Sequence, residues 1–402
     1  MSLYLSAHRG ETDRLRDALH SDRAAIRRRA SELLGEHGDP SEPATVEALL
    51  DRALNDEDKT VREAAVAALD ALGPAALDRL VKEHAFENAA GERDLSVNAC
   101  GRVLQSNRAE LRLAAIHALE RLEDRSGTKF VVTALTDSDP RVRRRAATAC
   151  GAIGDERCVE PLIERTTDVT TVRRAAITAL GQIGTEAACE ALIPLLTADE
   201  TTVRRDAARA LGIARHTPAI QRLLVRVDDD DPAVRGAAFR AAMELIPDLP
   251  EDAMKEARST LATRLGAHRP DGARDLLLTL TRDGRRRGLR CQAIWLLAEV
   301  SDPGDEQVIE ALITALSSDD SAIRRQAREG LIAMKPGQVR YQLGRELKRN
   351  LSTETRASIA WILGRIGGDE AIEWLHTLAD DEGPDVRKQA YRSLERLGGV
   401  AG

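Results

Sequence analysis

Eleven arginines recur at one position of a repeated 13-residue pattern: Arg27, Arg62, Arg112, Arg143, Arg173, Arg204, Arg235, Arg290, Arg324, Arg356 and Arg387. A guanidinium presents a planar fork that fits a carboxylate or a phosphate in bidentate fashion, so such a column reads as an ion-pair ladder or as a row of anion contacts. A cation in the first turn of a helix opposes the macrodipole and calls for a compensating carboxylate. In eight copies an acid stands three or four residues before the leading apolar position, among them Asp139, Asp168, Asp199, Asp230 and Asp319. The expectation is a structural ladder in which Arg143, Arg173 and Arg204 bridge Asp139, Asp168 and Asp199 of their own or the adjacent loop.

The next position lies about 200° round the helix from the leading apolar residue and must face solvent. It stacks Arg144, Arg174 and Arg205 in three consecutive copies, an exposed basic ridge and a candidate anion or partner contact. A third basic feature is Gly284-Arg285-Arg286-Arg287-Gly288, read as an exposed loop suited to an acidic partner or a phosphate. Between the copies, the residue two before the central Leu is Glu160, Glu190, Gln221, Glu310 or Glu373, and the same angular count points it away from the core. These five residues form a candidate acidic ridge for a partner.

The elements that must position these side chains follow from the repeat. The clearest copies are VRRRAATACGAIG from Val142, VRRAAITALGQIG from Val172 and VREAAVAALDALG from Val61; the others begin at Ile26, Leu111, Val203, Val234, Leu289, Ile323, Thr355 and Val386. Most intervals are 30 to 35 residues, and two, of 50 and 55, leave room for one more helix each. Apolar residues within a copy fall on one stripe at 100° per residue, which describes a helix with one buried face. A second apolar-periodic segment, such as Glu186–Leu196 or Glu306–Leu316, follows each copy. Asp139-Pro140 and Asp231-Pro232 read as N-cap followed by Pro at the first helical position, and Gly154 and Gly184 as helix stops. A helical hairpin of this size cannot bury its apolar faces alone, so neighbours stack. The expected organisation is one solenoid over 1–402, with an N-terminal cap helix in 1–25, irregular insertions at 74–106 and 247–284, and a C-terminal cap at 386–402.

Composition agrees. Only 2% of residues are aromatic while 43% are hydrophobic, so the core is made of small aliphatics, which favours closely packed helices. Acids outnumber bases, 66 to 59, leaving a net charge of −7, and 52 of the 59 bases are Arg. Five cysteines include no Cys-x-x-Cys pair, which argues against a disulfide framework or zinc knuckle, and Cys150 and Cys189 fall on apolar stripes. Trp361 also falls on an apolar stripe and is expected in the core. The N-terminal segment lacks the apolar core of a signal peptide, and a cytoplasmic protein without a membrane span is expected.

The pattern Asp-x-x-Val-Arg-x-x-Ala-x-x-Ala-Leu-x-x-Ile-Gly, followed by Glu-Ala-x-x-x-Leu-x-x-Leu, resembles the HEAT repeat of the phycobilin-lyase type along nearly the whole chain. The resemblance implies an all-α fold, a right-handed α-α superhelix of the HEAT/armadillo kind with about eleven to twelve helical hairpins. It also implies that the second helices line the concave face, which makes Glu160, Glu190, Gln221, Glu310 and Glu373 an acidic inner ridge. HEAT proteins include scaffolds, transport receptors and a few enzymes. Those with more Arg than Lys and with Asp-rich loops look like proteins of high-salt archaea, where some belong to chemotaxis signalling and link response regulators to the motility motor.

No Walker loop, Gly-x-Ser-x-Gly elbow or dinucleotide fingerprint is present, so no catalytic residue and no cofactor is expected. None of the eight histidines precedes a Glu, which removes the His-Glu signature of the HEAT-like di-iron hydroxylases, and no metal is expected. The leading reading is a non-enzymatic scaffold that takes a basic or helical segment of another protein. A phycobilin-lyase-like activity and a nucleic-acid-binding HEAT protein working through the Arg ridge are the alternatives, the latter disfavoured by the net negative charge.

Overall fold

The computed structural model describes residues 3–85, 95–122, 124–267, 273–283, 286–349 and 351–398. Among the described residues the secondary structure is helical throughout, and each of the eleven sequence copies is a helix of 13 or 14 residues. The chain divides into two compact units, residues 1–192 and 193–402.

In the first unit the repeat helices are Ala24–His37, Lys59–Leu72, Ala109–Leu122, Pro140–Ile153 and Thr170–Ile183. Pro140–Ile153 shows why the sequence folds this way. Asp139 caps it by accepting from the Arg141 backbone N–H, and Pro140 occupies the first turn, where a missing N–H does no harm. Val142, Ala146, Ala147 and Cys150 form the buried stripe. Gly154 ends the helix at φ +65°, a conformation that L side chains rarely adopt. Gly151 permits close approach to the next helix, because a Cβ there would lie 2.9 Å from the Ala179 Cα. This contact explains the scarcity of aromatics: the repeat helices meet through Gly and Ala.

The second segments are shorter. Val159–Glu164 runs into the 3-10 turn Arg165–Thr167, while Glu186–Leu192 closes the first unit. The N-terminal region holds two short helices, Leu3–His8 and Thr12–Ala18, rather than the single cap helix expected. The long interval after Lys59–Leu72 contains Pro74–Ala85 and Val97–Val103 where a regular interval holds one second segment.

In the second unit the repeat helices are Thr201–Ala214, Pro232–Leu245, Arg287–Val300, Ser321–Ala333, Thr353–Ile366 and Pro384–Arg396. Its long interval likewise holds two helices, Glu251–Ala267 and Ala273–Asp283. Phe239 is the bulkiest fully buried side chain, and the rest of the core is mainly Leu, Ala, Ile and Val. Cys100, Cys150, Cys158 and Cys189 are buried, and burial pushes the Cys100 and Cys189 thiols up to about 11. No described helix is long and apolar enough to cross a membrane.

Candidate functional site

Column arginines carry out one or two tasks with one guanidinium. Nη1 donates to backbone carbonyls five or six residues upstream: Arg143 to Asp137 and Ser138 at 2.8 and 3.2 Å, Arg204 to Ala198 and Asp199 at 2.9 Å each, Arg387 to Asp381 and Glu382 at 2.7 and 2.8 Å. These carbonyls belong to the loop that leads into the helix, so each arginine ties that loop to the first turn. The other edge, Nε and Nη2, takes an Asp of the following loop in bidentate fashion. Five rungs of this kind are Arg27–Asp56, Arg112–Asp137, Arg143–Asp168, Arg204–Asp229 and Arg356–Asp381.

The carboxylate position is therefore specific. Apart from Asp168, which stands five residues before Arg173, each rung Asp stands six residues before the next column arginine, and in four of the five rungs it lies 25 residues after its partner. The same carboxylate also shapes its loop: Asp56, Asp137, Asp229 and Asp381 accept from the backbone N–H two residues on, at 2.8 to 3.1 Å. The Arg143 guanidinium holds the Asp168 carboxyl below the usual carboxylate range. Burial pushes Asp56, Asp229 and Asp381 up, but the arginine fork and the backbone N–H outweigh it and hold all three below that range.

This geometry reassigns two of the expected ladder acids. Asp139 caps its helix and pairs with Arg141 at 2.8 Å, because a side chain adjoining the helix start reaches the first free N–H groups before it reaches Arg143. Asp199 meets Arg204 through its backbone carbonyl. Arg173 lies 3.5 Å from the Thr170 hydroxyl.

Two of the three arginines expected on the basic ridge face solvent. Arg144 and Arg174 are exposed and line a groove of ≈ 440 Å³ with Arg145, Thr148, Thr178 and Gln182. Arg205 differs: it is half-buried and folds onto Asp206 at 2.9 Å, an acid that no other copy has at this place. The basic loop is also corrected. Arg285 lies outside the described residues, Arg286 is held by Glu244 and Asp248 at 3.0 Å each, and Arg287 lies 3.1 Å from Asp320. Local composition revealed the positive run but not the acids that the fold brings to it. Trp361 is half-buried rather than core, with the guanidinium carbons of Arg328 and Arg365 at 4.9 and 4.8 Å from its ring centre.

Glu160 and Glu190 are exposed on neighbouring second helices of the first unit, and Gln221, Glu310 and Glu373 are exposed in the second. Glu310 stands in a groove of ≈ 400 Å³ between Glu306–Ala315 and Pro336–Glu346, with Ile313 and Ile359 among apolar lining and Arg345 among polar lining. Among the described residues no group of three or more His, Cys, Asp or Glu is placed to hold a metal ion.

Comparison with known proteins places this architecture. The chain is 38% identical over 408 residues to a HEAT repeat-containing taxis protein of Halobacterium salinarum, covering 99% of each. Among solved structures, an engineered protein matches 96% of this chain and 98% of its own at 23% identity and a TM-score of 0.42. The complex of CpcE and CpcF of phycocyanin lyase from Nostoc matches 63% of this chain and 94% of its own, at 19% identity and a TM-score of 0.35. The family model of HEAT repeats matches residues 12–90, 100–176, 168–244, 242–332 and 342–401, and the chain belongs to the HEAT repeat family.

Proposed function

We propose that this chain is a non-enzymatic adaptor of taxis signalling in the cytoplasm, one that holds a basic or helical segment of a partner protein against its second helices. The observation that carries the reading is end-to-end similarity, at 38% identity, to a protein named for taxis. Exposure of Glu160, Glu190 and Glu310, and the polar-rimmed groove around Glu310, support the choice of surface. Exposed acids of this kind speed encounter with a basic partner and orient it, more than they add affinity. HEAT solenoids present such extended faces to other proteins, while the column arginines are engaged in holding the repeats together.

Deleting the gene in its host tests the reading. Cells are expected to swim but to lose directed responses, and a gene carrying Glu160→Lys, Glu190→Lys and Glu310→Lys is expected not to restore them although its product folds. Normal taxis in the deletion strain would contradict the proposal. So would duplex DNA binding with a steep salt dependence that disappears on replacing Arg144 and Arg174.

A further inference from the structure

In the second unit, helices Ser321–Ala333, Thr353–Ile366 and Pro384–Arg396 enclose a pocket of ≈ 370 Å³. Its walls carry four cations, Arg324, Arg328, Lys388 and Arg392, and two carboxylates, Glu354 and Asp385, a surplus of two positive charges. Neither carboxylate forms an ion pair with any of the four. None of the four cations has an ion-pair partner among the described residues.

Arg328 is the telling residue. Its Nε is buried and has no hydrogen-bond partner. Other arginines with an orphan Nε, such as Arg52, Arg145, Arg165 and Arg264, hold a carboxylate through another guanidinium nitrogen. Arg328 holds none among the described residues and lies instead over the Trp361 ring. Burial and the nearby charge of Arg324 lower its proton affinity, with Glu329 acting against them and Arg325 alongside. Arg324 likewise has no carboxylate partner among the described residues. Its Nη1 is taken by the Ser318 and Asp319 carbonyls, but the place six residues before the next column arginine, which supplies the carboxylate in four of the five rungs, is Asn350 here.

We propose that this pocket binds a phosphate dianion, free or as the ester group of a small molecule, with Arg328 and Arg324 as forked donors and Lys388 and Arg392 closing the outer wall. Two negative charges match the surplus on the walls, and guanidinium forks are suited to the planar oxygen pairs of phosphate. The volume admits a small phosphoester, not a large conjugated ligand. The site lies on the repeat-helix side and is independent of the second-helix surface assigned to the partner protein.

Isothermal titration of the whole protein with inorganic phosphate and with glycerol 2-phosphate, at matched ionic strength against chloride, tests it. Saturable one-to-one binding of at least one probe is expected, and the tighter probe tells the free anion from the ester. Arg392→Gln and Lys388→Gln sit at exposed positions and should leave folding intact by circular dichroism while weakening binding roughly tenfold or more, as for loss of one charge-assisted hydrogen bond. Arg328→Gln should weaken it at least as much. Changing Arg144 and Arg174 to Gln in the other basic groove should have no effect. Failure of both probes to bind at millimolar concentration, or binding indifferent to Arg392 and Lys388, would overturn the proposal.

Discussion

The junctions after Ala109–Leu122 and Pro140–Ile153 differ from those after Pro232–Leu245 and Arg287–Val300 in one respect that the repeat pattern does not announce. All four begin with a column arginine, yet among the described residues only the first two have a rung, Arg112–Asp137 and Arg143–Asp168. Among the described residues Arg290 of the second pair meets the Thr281 carbonyl, at 3.3 Å, and Arg235 the carbonyls of Asp229 and Asp230, with no carboxylate on either. The residues six before the next column arginine are Gly284 and Ser318 there, against Asp137 in the regular region. In the long interval, binding between elements passes to a different cluster, in which Asp248 takes Arg215 and Arg286, and Glu244 takes Arg286 as well. The arginine sets the repeat, but the register of the carboxylate decides whether a junction is locked.

Substitutions can break this comparison. The largest effect is expected at Arg27–Asp56, where both side chains are almost fully buried, at 6% and 1% exposed. Replacing Asp56 with Ala strips a buried guanidinium of its bidentate partner, leaving Glu57 at 3.6 Å, and should cost about 3 kcal/mol in chemical denaturation of the first unit. Arg143→Ala should cost about 1.5–3 kcal/mol, since it removes charge-assisted bonds that are partly solvated. Arg290→Ala, with one long carbonyl bond, should cost under about 1 kcal/mol. Equal losses for Arg143 and Arg290 would mean that the rung contributes nothing beyond the arginine itself.

Acid titration sharpens the same contrast. Asp56, Asp168, Asp229 and Asp381 are held below their ordinary range, so each stabilises the folded state fully above the unfolded carboxylate value, about 3.9, and less as pH falls through its lower folded value. Thermal stability is therefore expected to fall below about pH 4, and Asp168→Asn should flatten that limb.

Smaller effects separate close helix contacts from open ones. Gly151→Ala forces a Cβ to 2.9 Å from the Ala179 Cα and should destabilise by about 1–3 kcal/mol. Gly236, inside Pro232–Leu245, has open space where a Cβ would stand, and Gly236→Ala should stabilise by about 0.5–1 kcal/mol. Thermal melts of the two variants should move in opposite directions.

The repeat helices were legible in the sequence because their apolar stripe, their capping Asp and their terminal Gly agree. The rungs were only half legible. The loop Asp137-Ser138-Asp139 contains two acids with different tasks, one bridging to the previous arginine and one capping the next helix, and proximity in sequence favours the wrong one. The recurring spacing of Asp and Arg, as in Asp137 and Arg143 or Asp229 and Arg235, was the available signal. Angular position around a helix correctly exposes Arg144, Arg174 and the five second-helix residues. It cannot say that Asp206 takes Arg205 or that Glu244 and Asp248 take Arg286, because partners arrive from the neighbouring residue or from an element about 40 residues away. The phosphate-sized pocket was invisible for the same reason: Arg328 and Lys388 belong to different copies, and only packing unites them.

A double-mutant cycle on Arg143 and Asp168, using Arg143→Ala, Asp168→Ala and the pair, tests most directly whether the arginine column is a ladder between repeats. The account predicts a coupling of about 1.5–3 kcal/mol in urea denaturation, whereas additive single effects would contradict it.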